Sequence, residues 1–218
     1  MTDPALHYAL VFDFDGVVLD SATLKRQAFA DLYAEAPGPQ YQAVCAYLGR
    51  KGGQPREVKF RHIEAQIFGR QTSEERIREL CDLFKASVEQ RLLEAPAIAG
   101  AVEFLARWAG KRPLYLLSAT PEAELKAIVE KRKLTCFFRE VVGSPPDKVT
   151  GLRNLLVRRG HAAQESVMIG DSYNDFRAAR SNGTHFVGVT ADPSASPFPG
   201  DTITIRDLHG LETALKQL

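Results

Sequence analysis

Two aspartates, Asp13 and Asp15, stand in the stretch DFDGVVLDS, directly after the apolar run Tyr8 to Phe12. A short apolar run that ends in an acidic, glycine-bearing stretch is the pattern of a buried strand feeding a polar loop. Strand geometry sends residues i and i+2 to the same face, so the two carboxylates converge. Like charges that close together need a cation to neutralise them, or one must hold a proton. Both remedies suit phosphoryl transfer. One oxygen of Asp13 can attack phosphorus while the other holds magnesium, and Asp15, its pKa raised by its neighbour, can protonate the leaving oxygen. Taken alone, the same string is also explained by a solvated turn.

Three more positions could contribute to such chemistry. In GDSYND, Gly170 permits a tight turn, Asp171 stands at another strand end and Asp175 follows one helical turn later. Hard oxygen ligands from separate strand ends are what magnesium requires, with Asp171 direct and Asp175 direct or through water; helix capping near Asn174 is the alternative for these acids. Ser118 follows the run LYLL, and its hydroxyl, with backbone amides of the next turn such as that of Ala119, can cradle an oxyanion. A merely solvated serine is the alternative, while Thr120 and Pro121 read as N-cap and first residue of the following helix. Lys148 opens a helix, where its charge opposes the dipole. A buried ammonium between nucleophile and phosphoryl group gives that placement a reason, and a surface pairing with Asp147 is the plainer account.

The elements that must position these residues alternate in type. Apolar runs at Leu114–Leu117, Val167–Ile169 and His185–Thr190, with a weaker one at Val141–Val142, predict strands. Between them, Leu125/Ile128/Val129, Val149/Leu152/Leu155/Leu156 and Phe176/Ala179 follow helical spacing. From about residue 97 onward this βα rhythm predicts a parallel sheet covered on both faces. Residues 17–96 break it with helical faces at Leu24/Ala28/Phe29/Leu32/Tyr33, Phe60/Ile63/Ile67 and Ile77/Leu80/Cys81/Phe84/Val88, and no convincing strand. The expected fold is therefore α/β: a Rossmann-like parallel-sheet core from 1–16 and 97–218, interrupted by an all-helical insertion at 17–96.

Composition sets the remaining limits. The 218 residues are 44% hydrophobic and 25% charged, ordinary for a globular chain, and the net charge of +1 offers no broad nucleic-acid footprint. Cys45, Cys81 and Cys136 are odd in number and show no metal-binding spacing, which suits a reducing compartment. The start MTDPALHY has no basic segment or long apolar run, so a cytoplasmic protein with no membrane anchor is expected. The oligomeric state is not legible.

DFDGVVLDS, LLSAT, the lysine of SPPDK and IGDSYND, in this order, resemble the four motifs of the haloacid dehalogenase-like superfamily. The resemblance spans nearly the whole chain. It implies a helical cap over a Rossmann-like core, with Asp13 as nucleophile, Asp15 as acid/base, Ser118 and Lys148 as phosphate ligands, and magnesium on Asp13, Asp171 and Asp175 with the backbone carbonyl of Asp15. An aspartate at position 15 is similar to phosphatases and phosphomutases, rather than to relatives that cleave carbon–halogen or carbon–phosphorus bonds. The implied activity is hydrolysis of a small phosphorylated metabolite through an aspartyl-phosphate; transfer within a sugar phosphate by a phosphomutase and noncatalytic phosphate binding are the alternatives. The segment GRKGGQPREVKF is similar to the part of the cap that selects substrate in phosphoglycolate phosphatase-like members. There Arg56, with Lys59, is expected to bind a second anionic or hydroxyl-rich part of the substrate, a charged, solvated helix start being the alternative.

Overall fold

The computed structural model of the chain describes residues 8–192 and 196–218. The N-terminal stretch 1–7, which carries most of the segment expected to hold no targeting signal, lies outside them.

Six strands form one sheet: β1 (Ala9–Phe12), β2 (Leu114–Pro121), β3 (Glu140–Ser144), β4 (Ser166–Gly170), β5 (His185–Val189) and β6 (Thr204–Ile205). Their spatial order is β3-β2-β1-β4-β5-β6, and every neighbouring pair is parallel. This is the doubly wound order in which ligands bind beyond the carboxyl ends of the strands, where the winding reverses beside β1. β1 pairs with β2 on one side and β4 on the other, Phe12 being level with Leu116 and with Ile169. The residues that follow β1 and β4 therefore emerge side by side.

The apolar runs separate cleanly by strand periodicity. Leu10, Phe12, Leu114, Leu116, Val167 and Ile169 point into one core, while Ala9, Val11, Tyr115, Leu117 and Met168 point into the other. α5 (Ala101–Trp108), α6 (Glu122–Lys131) and α9 (Leu211–Leu215) cover the first face; α7 (Lys148–Arg159) and α8 (Tyr173–Asn182) cover the second. β1 consequently has both faces buried, and all four of its residues are apolar.

Between β1 and α5 the chain is helical: α1 (Ala22–Asp31), α2 (Gly38–Arg50), α3 (Arg56–His62) continued by a π-helical segment Ile63–Ile67, and α4 (Glu74–Glu94). Phe29 from α1 stacks on Phe84 of α4 with centroids 4.0 Å apart, and Phe60 of α3 packs against both rings. α2 escapes the sequence reading, although its buried residues Val44, Tyr47 and Leu48 are spaced i, i+3, i+4. β6 and α9 escape it too, being two and five residues long. Among the described residues, no helix is long and apolar enough to cross a membrane.

Phe60 is fully buried and joins three aromatic neighbours in the helical layer. Replacing it by Ala is expected to cost about 3–5 kcal/mol, measured as a lowered urea midpoint; an unchanged midpoint would mean that this aromatic cluster does not hold the helices together.

Candidate active site

The turn after β1 begins with Asp13, whose backbone N–H donates to the Ile169 carbonyl on β4 and ties the two strand ends together. Asp13 is buried; its Oδ1 accepts from the Phe14 N–H at 2.7 Å and its Oδ2 lies 2.8 Å from Lys148 Nζ. Gly16 completes the turn at φ +79°, and an added Cβ there would meet Asp171 Oδ2 at 2.3 Å. Only glycine lets the β1 turn approach the β4 turn this closely.

Beyond β4, Gly170 leaves room for Asp175, which a Cβ would meet at 2.2 Å. Asp175 is fully buried at the start of α8, where its Oδ2 accepts from the Ser172 N–H at 3.1 Å and from the Ser172 hydroxyl at 2.5 Å. Its Oδ1 receives Lys148 Nζ at 2.5 Å. Asp175 thus performs the capping task and belongs to the acidic cluster as well. Lys148 is no surface partner of Asp147, which instead caps α7 by accepting from the Val149 and Thr150 N–H groups. Lys148 bridges two buried carboxylates, Asp13 and Asp175.

Asp171 is half-buried, faces the same space, and receives no protein hydrogen bond among the described residues. One oxygen from each of Asp13, Asp171 and Asp175 lies within 4.8 Å of the others. Three carboxylates against one ammonium leave two uncompensated negative charges, and the donors are all hard oxygens. That set fits a divalent cation of the magnesium type. The electrostatics agree: burial, then repulsion from Asp175, pushes Asp13 up to about 7, and burial followed by the charges of Asp13 and Asp175 raises Asp171 well above the carboxylate range. Burial acts against the Lys148 ammonium, but Asp13 and Asp175 outweigh it and raise its pKa.

Asp15 departs from expectation. It lines the same cavity as Asp13, but its pKa is not raised. Burial does work upward, but Lys25 Nζ at 2.6 Å, reinforced by the Ser21 hydroxyl at 2.6 Å, outweighs it and holds the carboxyl below its usual value. Lys25 also donates to Thr120 Oγ1 at 2.9 Å. It is a site residue the sequence reading missed. Its place in the first turn of α1, just after the acidic motif, brings it near Asp15, but no periodicity in the sequence encodes the pairing.

Ser118 and Thr120 lie inside β2, which runs on through Pro121. Thr120 is therefore not the N-cap of α6; Pro121 occupies that position. The Thr120 N–H donates to Ser118 Oγ at 3.2 Å, and the Ser118 hydroxyl reaches Thr120 Oγ1 at 3.2 Å. Ser118 and Ala119 line one cavity of about 80 Å³ together with Asp13, Asp15, Lys148 and Asp171.

Residues from the helical layer form its opposite wall: Phe29, Gly52 to Gln54, Arg56, Lys59 and Phe84. Asn174 donates to the Gly52 carbonyl at 3.0 Å across this junction. Arg56 and Lys59 do reach the cavity, and both are buried rather than solvated. Arg56, however, is already engaged. Its guanidinium makes a two-pronged contact with Glu124 of α6 (2.5 and 3.3 Å) and lies over the Phe84 ring.

The family model for haloacid dehalogenase-like hydrolases matches residues 10–189. A probable phosphatase, IndB, of Dickeya dadantii is 27% identical over 83% of this chain and 80% of its own length. A phosphoglycolate phosphatase of Pseudomonas syringae pv. tomato is 26% identical over 83% of this chain and 68% of its own. The crystal structure of a hydrolase from Pseudomonas syringae superposes with a TM-score of 0.77 at 18% identity, covering 97% of this chain and 99% of that one. The relatives it matches in sequence are named as phosphatases, one of them a phosphoglycolate phosphatase, and the chain is a member of the haloacid dehalogenase-like hydrolase family.

Proposed function

We propose that the chain hydrolyses a small phosphate monoester through a phosphoryl group carried on Asp13, with magnesium as its cofactor. Residues 17–96 serve as a cap over a core made of 1–16 and 97–218. The observation that carries this reading is the convergence of Asp13, Asp171 and Asp175 around the single ammonium of Lys148, in a cavity closed on its far side by the helical layer. A protein relieved of chemistry has no physical reason to sustain that crowding.

Asp13 forms the new P–O bond as the ester P–O bond breaks on the opposite side of phosphorus. Ser118 Oγ and the Ala119 amide receive the non-bridging oxygens, and Lys148 offsets charge as it shifts from the carboxylate to the phosphoryl group. Asp13, Asp171 and Asp175, with the Asp15 carbonyl, would hold magnesium, which supplies charge neutralisation at the phosphoryl oxygens. In the second step water attacks phosphorus, Asp15 takes its proton, and Asp13 is released with inorganic phosphate.

The Lys25 contact suits Asp15 to the second step directly, because it keeps the carboxylate ionised and able to act as base. For the first step Asp15 must carry a proton to the leaving oxygen. Entry of a phosphate dianion beside it favours the protonated form, by the same like-charge repulsion that raises the pKa of Asp13 and Asp171.

Two measurements test this reading. Turnover of an aryl phosphate with magnesium is expected to vanish in EDTA and in Asp13→Asn, with no phosphoenzyme trapped in that variant; equal rates in all three conditions would remove the mechanism. Asp15→Asn is expected to lower kcat by about 10²–10⁴-fold, the usual range for losing a general acid–base group, with the magnesium requirement retained; full kcat would assign proton transfer elsewhere.

A further inference from the structure

A second, larger cavity lies beside the first, between α4 and α6. It measures about 180 Å³, against about 80 Å³ for the cavity that holds Asp13. Lys25, Arg56 and Thr120 line both, so the two spaces adjoin. Val88 and Leu92 of α4, with Ala123, Ala127 and Ile128 of α6, give the second one apolar walls. Its charged groups are already answered: Arg56 pairs with Glu124, Glu89 with Lys131 and Lys25 with Asp15, while Lys85 is exposed to solvent. No step of the proposed hydrolysis uses this space.

Its position ties it to the reaction. Asp15 protonates the leaving oxygen, so the alcohol departs on the Asp15 side of phosphorus. Lys25 Nζ stands 2.6 Å from Asp15 Oδ2 and 2.9 Å from Thr120 Oγ1, and Lys25 and Thr120 belong to the wall that the two cavities share. A group that extends past them from the ester oxygen enters the second cavity. We infer that the cavity between α4 and α6 receives the leaving group, and that the substrate is a phosphate monoester of an alcohol with a neutral, apolar body. This deepens the proposed phosphatase reading and rests on it. The catalytic cavity has less than half the volume of its neighbour, and a seated phosphoryl group leaves little of it for an alcohol. An apolar cavity of about 150 Å³ binds benzene, so the second space takes a body of roughly six carbons. A charged leaving group would find no unspent buried counter-charge there among the described residues, whereas an apolar one gains the transfer free energy of each methylene it buries. Small-molecule pockets combine apolar walls with a few placed polar groups; Thr120 and Arg56, common to both cavities, supply those on the side of the ester oxygen.

The test compares ethyl, butyl and hexyl phosphate, whose alcohols are nearly equal in acidity, so that intrinsic reactivity stays constant along the series. In wild type kcat/KM is expected to rise about three- to fourfold for each added methylene, on the order of 10²-fold from ethyl to hexyl, chiefly through KM. Ala127 is exposed on α6 and lines the second cavity alone, so Ala127→Phe and the milder Ala127→Leu fill that space without entering the packed core. In Ala127→Phe the hexyl-to-ethyl ratio of kcat/KM is expected to fall to within about threefold, and in Ala127→Leu to lie between that and wild type. Ethyl and hexyl phosphate handled alike by wild type, or a ratio that survives undiminished in both variants, would overturn the subsite while leaving hydrolysis itself in place. Absence of hydrolysis of these esters and of an aryl phosphate by wild type would instead overturn the phosphatase reading, and the subsite with it.

Discussion

Everything at the centre of this molecule follows from crowding acidic groups where water cannot separate them. Two unit charges 4 Å apart interact by about 4 kcal/mol at an effective dielectric near 20, and Asp13, Asp171 and Asp175 are drawn together against that repulsion with one ammonium among them. The sheet enforces the crowding. β1 and β4 are adjacent and parallel, so their carboxyl ends deliver Asp13 and Asp171 side by side, and Gly16 lets the two turns meet. Such an arrangement calls for a bound proton or a cation to offset the excess negative charge, and the hard oxygen donors suit a divalent cation.

The helical layer complements that centre with positive charge. Lys25 comes from α1, Arg56 and Lys59 from α3, and all three reach the cavity that the strand ends open. Each is treated differently by its surroundings. Lys25 fixes the proton state of Asp15, and Arg56 joins α3 to α6 through Glu124. Lys59, with no carboxylate within ion-pair distance among the described residues, lies over the Phe29 ring. Nearly identical side chains thus acquire separate tasks from the partners that packing provides.

Much of this was legible in the sequence because it depends on local pattern. Short apolar runs marked the strands, the polar residues after three of them marked Asp13, Ser118 and Asp171, and period-2 burial of those runs is what the sheet shows. What sequence could not reveal was pairing across long separations. Lys148 bonding Asp175, Arg56 bonding Glu124 and Lys25 bonding Asp15 span 27, 68 and 10 residues, and no periodicity encodes them. The expectation of a raised pKa at Asp15 failed for that reason: it counted the neighbouring acid and could not count the lysine. α2 was missed although Val44, Tyr47 and Leu48 carry a helical spacing, the stretch before Gly49 lying unread between the helical faces on either side.

The central claim, that Asp171 is held in repulsion with its neighbours for the sake of a bound cation, is tested most directly by thermal unfolding of wild type and Asp171→Asn, each in EDTA and in excess magnesium. A ligand that binds only the folded state raises its Tm. The account predicts that Asp171→Asn melts higher than wild type in EDTA, because repulsion is relieved, and gains little or nothing from magnesium, whereas wild type gains clearly. A variant that melts lower in EDTA and still shows the full magnesium-induced rise would contradict it.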